Sequence, residues 1–493
     1  MKQLKPIMIV GTCSDAGKSV INAGICRILK QDGYSPAPYK AQNMSLNSYA
    51  TPEGLEIGRA QATQAEACGI PCHSDMNPVL LKPTGEMVSQ VVLNGKPIGN
   101  RSAYEYFRSE DSNVLFDAAY AAFERLSQRF SPIVLEGAGS ISELNLKKRD
   151  IVNMRMAIRT GADVYLVSDI DRGGVIGSVY GSIMLLDEEE RKHIKGIIIN
   201  KFRGDITLFD DGRKIIEDLT GVPVVGVVPY FRDIYVEEED SVVLEQKKRT
   251  AMAGKVNVAV VLLNQMSNFT DFDALQHDGR VNLFYSDQSS EIQKADIVIL
   301  PGSKSTLKDL KGLQTKGLDK LIKSMHANGK TVIGICGGYQ MLGKSINDPE
   351  GIEGSIKQLN GLDLLPVETT ITDEKQTVQT RFQFLDKQDW CEGYEIHMGQ
   401  TKVLDEAPFL LTLDDGSQEG VYKSERCWGS YMHGILDNQV VINQLLEPYA
   451  NATESGMSYK EFKDKEYDKL ADHLRANLDI DYMYRTMHGE EKK

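Results

Sequence analysis

The sequence predicts an α/β chain of two domains: an N-terminal parallel-sheet domain opened by a phosphate-binding loop, and a C-terminal domain built on a mixed sheet. Three observations predict it. A glycine-rich loop, "GTCSDAGKS" (11–19), follows directly on the apolar run "IMIV". Short runs apolar on both faces recur along the chain in two groups, as the strands of helix-covered parallel sheets do. A charged stretch, "EEEDSVVLEQKKRTAMAGK" (237–255), separates the groups, and 493 residues exceed what a single core sustains.

The first group contains "IMIV" (7–10), "PIVLEG" (132–137), "DVYLVSD" (163–169), "GIIINK" (196–201) and "VPVVGVVP" (222–229), with helical patterns between several of them. It defines an expected domain over 1–245. The second group runs through "VNVAVVLL" (256–263), "ADIVILPGS" (295–303) and "TVIGICGG" (331–338). Its later runs, "GLDLLPVETT" (361–370), "EGYEIHMG" (392–399) and "CWGSYMHG" (427–434), predict shorter strands around loops. This second domain is expected over 246–455. From 459 the pattern "YKEFKDKEYDKLADHLRANL" is that of a charged amphipathic helix, and 456–493 is expected to be a helical extension packed on the second domain.

Charge narrows the function classes. With 70 acidic and 56 basic residues the formal net charge is -14, which argues against a protein that coats DNA or RNA. Seven cysteines, spread thinly, read as reduced thiols rather than a disulfide framework. No apolar run reaches the roughly 18 residues of a membrane span, and the first residues lead straight into the glycine-rich loop. A soluble cytoplasmic protein with no membrane partner is expected. A homo-oligomer is compatible with the sequence.

The usual P-loop has four residues between its first glycine and Gly-Lys-Ser/Thr. Here Gly11 and Gly17 enclose five. Backbone amides of such a loop and of the following helix surround phosphate oxygens, Lys18 supplies a cation, and the Ser19 hydroxyl can reach Mg2+. Gly11, Thr12, Asp15, Ala16, Gly17, Lys18 and Ser19 are the expected nucleotide phosphate cradle. Asp15 is unusual in an anion site: it could orient Mg2+, meet a substrate group, contact a partner subunit or cap the helix. Glu136, at the end of an apolar strand in "VLEGAGS" (134–140), is the candidate carboxylate for Mg2+. The polar stretch "YKAQNMSLNSY" (39–49) could grip a carboxylate or phosphate, or form a solvated loop. "SDIDRGGVIGS" (168–178) could close on substrate or merely connect elements.

The second domain carries separate chemistry. Cys336 in "VIGICGGYQMLG" (332–343) lies between an apolar run and a helical pattern, where Gly337 and Gly338 permit a sharp turn that exposes the sulfur among amides. His433 in "SYMHGILDN" (430–438) is the candidate base, since a Cys–His pair can attack an amide and protonate leaving ammonia. Gly302, in "LPGSKST" (300–306), and Gly337 are the candidate oxyanion donors. Cys68, Cys72 and His73 lack a fourth ligand nearby for structural zinc, and Trp390 and Trp428 are expected to organise the second domain.

The order of "YKAQNMSLNSYAT" (39–51), "MNPVLLKP" (76–83), "EGAGSISELNL" (136–146) and "SDIDRGGV" (168–175), ahead of the Cys–His signature, resembles the cobyric acid synthase family over nearly all of the chain. The N-terminal half resembles dethiobiotin-synthetase-like ATPases, and the C-terminal half resembles class I, triad-type glutamine amidotransferases. The resemblance implies ATP- and Mg2+-dependent amidation of carboxylates b, d, e and g of adenosylcobyrinic acid a,c-diamide. L-glutamine would be the ammonia source, hydrolysed at Cys336 and His433. ATP would lie at Gly11–Ser19, with Mg2+ near Ser19 and Glu136. A substrate rich in carboxylates needs a local basic and amide-rich surface, to which Lys40, Asn43, Lys82 and Arg172 are the expected contributors. The alternative within the class is cobyrinic acid a,c-diamide synthase. A nucleotide-controlled partitioning ATPase would leave Cys336 and His433 unexplained. The common triad places Glu two residues after His, where this chain has Ile435, so the group orienting His433 is expected to be a backbone carbonyl or a more distant acid such as Asp437.

Overall fold

The computed structural model describes residues 4–83, 88–102, 111–237, 250–449 and 457–490. Two compact units are present. One comprises Met1–Ser45, Ile57–Glu237 and Lys463–Lys493, and the other Leu46–Glu56 and Glu238–Phe462. The expected boundaries at 245/246 and 455/456 lie outside the described residues.

The first unit is built on six strands: β1 (Ile7–Gly11), β2 (Ala37–Tyr39), β3 (Ile133–Glu136), β4 (Asp163–Asp169), β5 (Ile194–Phe202) and β6 (Val224–Pro229). They lie in the order β6-β5-β4-β1-β3-β2, every pairing parallel. Each of the five strands read from the sequence is present. The edge strand β2 was not expected, because "APY" is too short and mixed to show a period. Both faces of β1 and β4 are fully buried, which is why the runs 7–10 and 164–167 within them are continuous rather than alternating. Helix α1 (Lys18–Gln31) follows β1 through the loop. Its N-cap, Gly17, is left-handed (φ 97°) and supplies no side-chain cap, so the first-turn amides are left for another acceptor. A separate four-stranded sheet joins Gln42–Met44, Val79–Pro83, Val88–Leu93 and Lys96–Ser102.

The second unit carries an 11-stranded mixed sheet. Its parallel part is β7 (Val256–Val261), β8 (Val281–Ser286), β9 (Ile297–Leu300) and β10 (Thr331–Ile335), to which the later strand Cys427–Ser430 adds, in the order β8-β7-β9-β10-Cys427–Ser430. Helix α2 (Gly337–Leu342) leaves β10 at Cys336. The antiparallel part departs from expectation. In place of short strands around loops, Val367–Phe384 and Trp390–Val403 form a long ribbon of 18 and 14 residues. Charged residues interrupt the apolar alternation on its solvent side, so its length has no continuous hydrophobic signature. Trp428 is buried edge-on to Phe384, whereas Trp390 is exposed beneath Arg381.

The C-terminal segment corrects a second expectation. Helix α3 (Tyr459–Asn477) and helix α4 (Ile480–Met487) do not extend the second domain's core; from Lys463 onward they belong to the first unit. Leu470, Ala471, Leu474, Leu478, Met483 and Met487 share one core with Ile21, Ile25 and Ile28 of α1. Gly24 makes this possible, since a Cβ there would lie 2.3 Å from Leu474 Cδ1. Arg27 donates to Asp468 (2.7 Å) and Asp464 (3.2 Å), and Lys463 to Glu66 (2.7 Å). Among the described residues no helix is long and apolar enough to cross a membrane.

Candidate active site

The loop between β1 and α1 converges on Lys18 and Glu136. Lys18 Nζ folds back to donate to the carbonyls of Cys13 and Gly139, each at 3.0 Å. Burial pulls its pKa below the ordinary lysine value, against the opposing pull of Glu136. A Cβ on Gly11 would stand 2.9 Å from that Nζ and 3.0 Å from the Cys13 carbonyl oxygen, so the first glycine gives the lysine room to fold back. Glu136 is 1% exposed and accepts from Ser19 Oγ (2.8 Å), Lys40 Nζ (2.9 Å) and Gln64 Nε2 (2.5 Å). Burial alone would raise its pKa. The Lys40 ammonium and the Gln64 and Ser19 donors outweigh that and hold it below the usual carboxylate value. Ser19 and Glu136 thus offer paired hard oxygen donors at the loop, a set that suits Mg2+ sharing its remaining positions with phosphate and water. Among the described residues no group of three or more His, Cys, Asp and Glu could hold a metal by itself.

The extra loop residue has a defined geometry. Asp15 is left-handed (φ 57°), caps no helix, and has its exposed carboxylate 3.3 Å from Arg172 Nη2. Its carbonyl accepts from Lys201 Nζ at 2.5 Å, and Lys201 also pairs with Asp169 (3.0 Å). The 168–178 segment is therefore tied to the phosphate loop through Arg172 and Lys201. Of the expected corrinoid contacts, Arg172 is exposed beside the loop. Lys40 is buried on Glu136, Asn43 is buried with its amide donating to Gln61 Oε1 (3.1 Å), and Lys82 is buried on the four-stranded sheet. Gln64 was missed from the sequence; it lies within a helix (Arg59–Cys68) whose buried polar face carries no periodic apolar signal.

In the second unit Cys336 stands in a strained turn (φ 52°, ψ -110°) between β10 and α2. Gly337 and Gly338 are dictated by packing. A Cβ on Gly338 would meet the Leu300 carbonyl oxygen at 1.9 Å, and one on Gly337 would meet Ser303 N at 2.8 Å. That fit holds the Cys336 turn against the loop after β9. Gly302 lies in that loop, paired antiparallel with Ser267, and a Cβ on it would come within 3.5 Å of His433 Cε1. Cys336, Gly337, Gly302 and His433 are thereby gathered around one point.

His433 is 1% exposed, and its Nδ1 bonds Asp271 Oδ2 at 2.7 Å. The other Asp271 oxygen accepts from Gly434 N at 3.1 Å. Asp271 thus orients the ring, in place of the backbone carbonyl or Asp437 expected from sequence. It precedes the histidine by 162 positions, in "SNFTDFDAL" (267–275), where nothing local marks it. Burial would lower the His433 pKa, but the negative charge of Asp271, with that of Cys336, pushes it up to about 10. A charged imidazole held beside the sulfur stabilises negative charge developing there and carries a proton for a leaving group.

Fold and site together define a two-part class: a P-loop nucleotide-binding unit joined to a glutamine amidotransferase unit. Residues 7–242 match the CobQ/CobB/MinD/ParA nucleotide binding domain, and residues 257–441 match the CobB/CobQ-like glutamine amidotransferase domain. The chain belongs to the cobyric acid synthase family. It is 60% identical to a cobyric acid synthase of Bacteroides fragilis over 489 residues, 99% of each chain. It is also 60% identical to that of Parabacteroides distasonis, over 99% of this chain and all of the relative, and 45% identical to that of Syntrophobacter fumaroxidans over 98% of each.

Proposed function

We propose that the protein is a glutamine-hydrolysing cobyric acid synthase, which uses ATP to amidate carboxylates b, d, e and g of adenosylcobyrinic acid a,c-diamide. The observation that carries this reading is the Cys336–His433–Asp271 constellation in a chain whose other half places Lys18, Ser19 and Glu136 at a phosphate loop. The full-length likeness to cobyric acid synthases supports the substrate.

In the amidotransferase unit the Cys336 sulfur attacks the side-chain amide carbon of glutamine, and the Gly302 and Gly337 region receives the resulting oxyanion. His433 gives its proton to the departing ammonia, leaving a thioester. It then takes a proton from the water that releases glutamate, with Asp271 holding the ring throughout. In the nucleotide unit Lys18 and the amides of Gly11 to Ser19 hold the triphosphate while a substrate carboxylate attacks the terminal phosphoryl group. Ammonia then displaces phosphate from the acyl phosphate. Mg2+, held by Ser19 and Glu136, would neutralise phosphate charge. Lys40 and Gln64 keep Glu136 ionised and oriented for that role, and Arg172 offers an exposed cation to a substrate carboxylate.

The test is product analysis with the a,c-diamide, ATP, Mg2+ and glutamine, followed by mass spectrometry. Four added amide nitrogens, with glutamate and phosphate released, are expected. A product lacking them under conditions where ATP is consumed overturns the assignment.

A further inference from the structure

The segment Leu46–Glu56 lies far ahead of the amidotransferase half in sequence, yet it belongs to the second unit. Its bonds converge on the elements that hold His433. Asn47 Oδ1 accepts from Phe269 N (3.2 Å), and Ser48 N donates to Asn268 Oδ1 (3.0 Å). Asn268 is left-handed (φ 53°, ψ 44°) and opens the short turn Phe269–Phe272 that carries Asp271. The Asp271 amide in turn donates to the Asn268 carbonyl (3.1 Å). On the other side Tyr394 OH donates to the Ser48 carbonyl (3.2 Å), Asn268 Nδ2 reaches Tyr394 OH (3.4 Å), and the Tyr49 and Tyr394 rings are 4.3 Å apart. Tyr394 stacks on the His433 ring at 5.2 Å and exchanges both backbone hydrogen bonds with it. Ala50 and Glu56 anchor the far end, through Gln379 Nε2 (2.7 Å) and Lys375 respectively.

Resting on the amidotransferase reading above, we infer that Asn47, with Asn268 as its counterpart, is a positioning residue for the Asp271–His433 pair. An aspartate on a short turn controls a histidine only if the turn itself is held. The bonds within the turn leave the Phe269 amide and the Asn268 side chain to be satisfied from outside, and Asn47 and Ser48 satisfy both in one reciprocal pair. Loss of the Asn47 acceptor leaves a buried amide without that partner and frees the turn to shift. A displacement of about 1 Å at Asp271 would turn the imidazole away from the Cys336 sulfur.

The experiment compares Asn47→Ala and Asn268→Gly in the full chain. Glutamate release is followed for glutamine hydrolysis, and amidation is followed with ammonium in place of glutamine. Asn268→Gly keeps the left-handed turn and removes only the side-chain bonds. Asn47→Ala and Asn268→Gly are expected to lower the glutaminase kcat on the order of 10- to 100-fold, with KM within about twofold. Ammonium-driven amidation is unchanged in both. The low-field Nδ1 proton resonance of His433 reports the Asp271 bond without turnover. It is expected in wild type, and broadened or lost in Asn47→Ala. Unchanged kcat and an unchanged resonance in Asn47→Ala overturn the inference, as does an equal loss of ammonium-driven amidation. If wild type itself released no glutamate the amidotransferase reading would fall, and the resonance would still decide the positioning role.

Discussion

At the scale of single residues the two sites are organised by a few buried charges whose partners decide their chemistry. Glu136 stays ionised in the interior because Lys40 faces it, and removing Lys40 would strand an unpaired carboxylate at a cost of about 3–5 kcal/mol. His433 shows the converse. Its pKa rises from 6.5 to about 10 because Asp271 outweighs burial, so the pair contributes stability that is complete below pH 6.5 and is lost as pH rises through about 10. In Asp271→Asn the larger raising partner is gone while burial remains, so the imidazolium deprotonates at lower pH. We expect glutaminase kcat to fall on the order of 10²–10⁴-fold. The pH-dependent part of the stability difference from wild type should be largest below pH 6.5 and should be lost as pH rises through about 10. A pH series of glutamate-release rates and denaturant midpoints checks both. Cys336 and His433 were legible in sequence because double glycine after an apolar run, and a lone histidine in "SYMHG", are local patterns. Asp271 and Asn47 were not, because each acts on a partner far away in the chain.

At the scale of elements, packing surfaces explain where sequence patterns led astray. The pattern of α3 identified a helix correctly but not its docking partner, because an amphipathic stripe states that a face is apolar without stating what covers it. The partner is set by shape: Gly24 opens a groove on α1 that Leu474 fills, and Arg27 reads the acidic residues on α3. Leu474 is fully buried, so Leu474→Ala should destabilise the first unit by about 2–5 kcal/mol. The check is lowered hydrogen-exchange protection of α1 and β1, with β7 and β10 of the second unit unaffected. The long antiparallel ribbon of Val367–Phe384 and Trp390–Val403 was read too short for a related reason. Cross-strand pairing on either side of an irregularity between Ile371 and Gln376, rather than an apolar period, sustains its half-exposed length.

At the scale of the whole molecule the chain houses two reactions in two units, each with its own core and its own buried charge network. Lys18→Ala should lower ATP-dependent amidation on the order of 10²–10³-fold, whether driven by glutamine or by ammonium, and leave glutamine hydrolysis measurable. Cys336→Ala should abolish glutamine hydrolysis and preserve ammonium-driven amidation. Assays of glutamate, phosphate and amide formed by both variants check that division. Local order along the chain was enough to reveal the α/β class, five of the six strands of the first sheet, the phosphate loop and the cysteine elbow, since each depends on neighbours within a few residues. Folding alone decided that Asp271 orients His433, that Leu46–Glu56 joins the second unit and that the last two helices close the first. Those outcomes depend on complementary shape and on the satisfaction of buried polar groups between residues hundreds of positions apart, and no periodicity encodes such pairings.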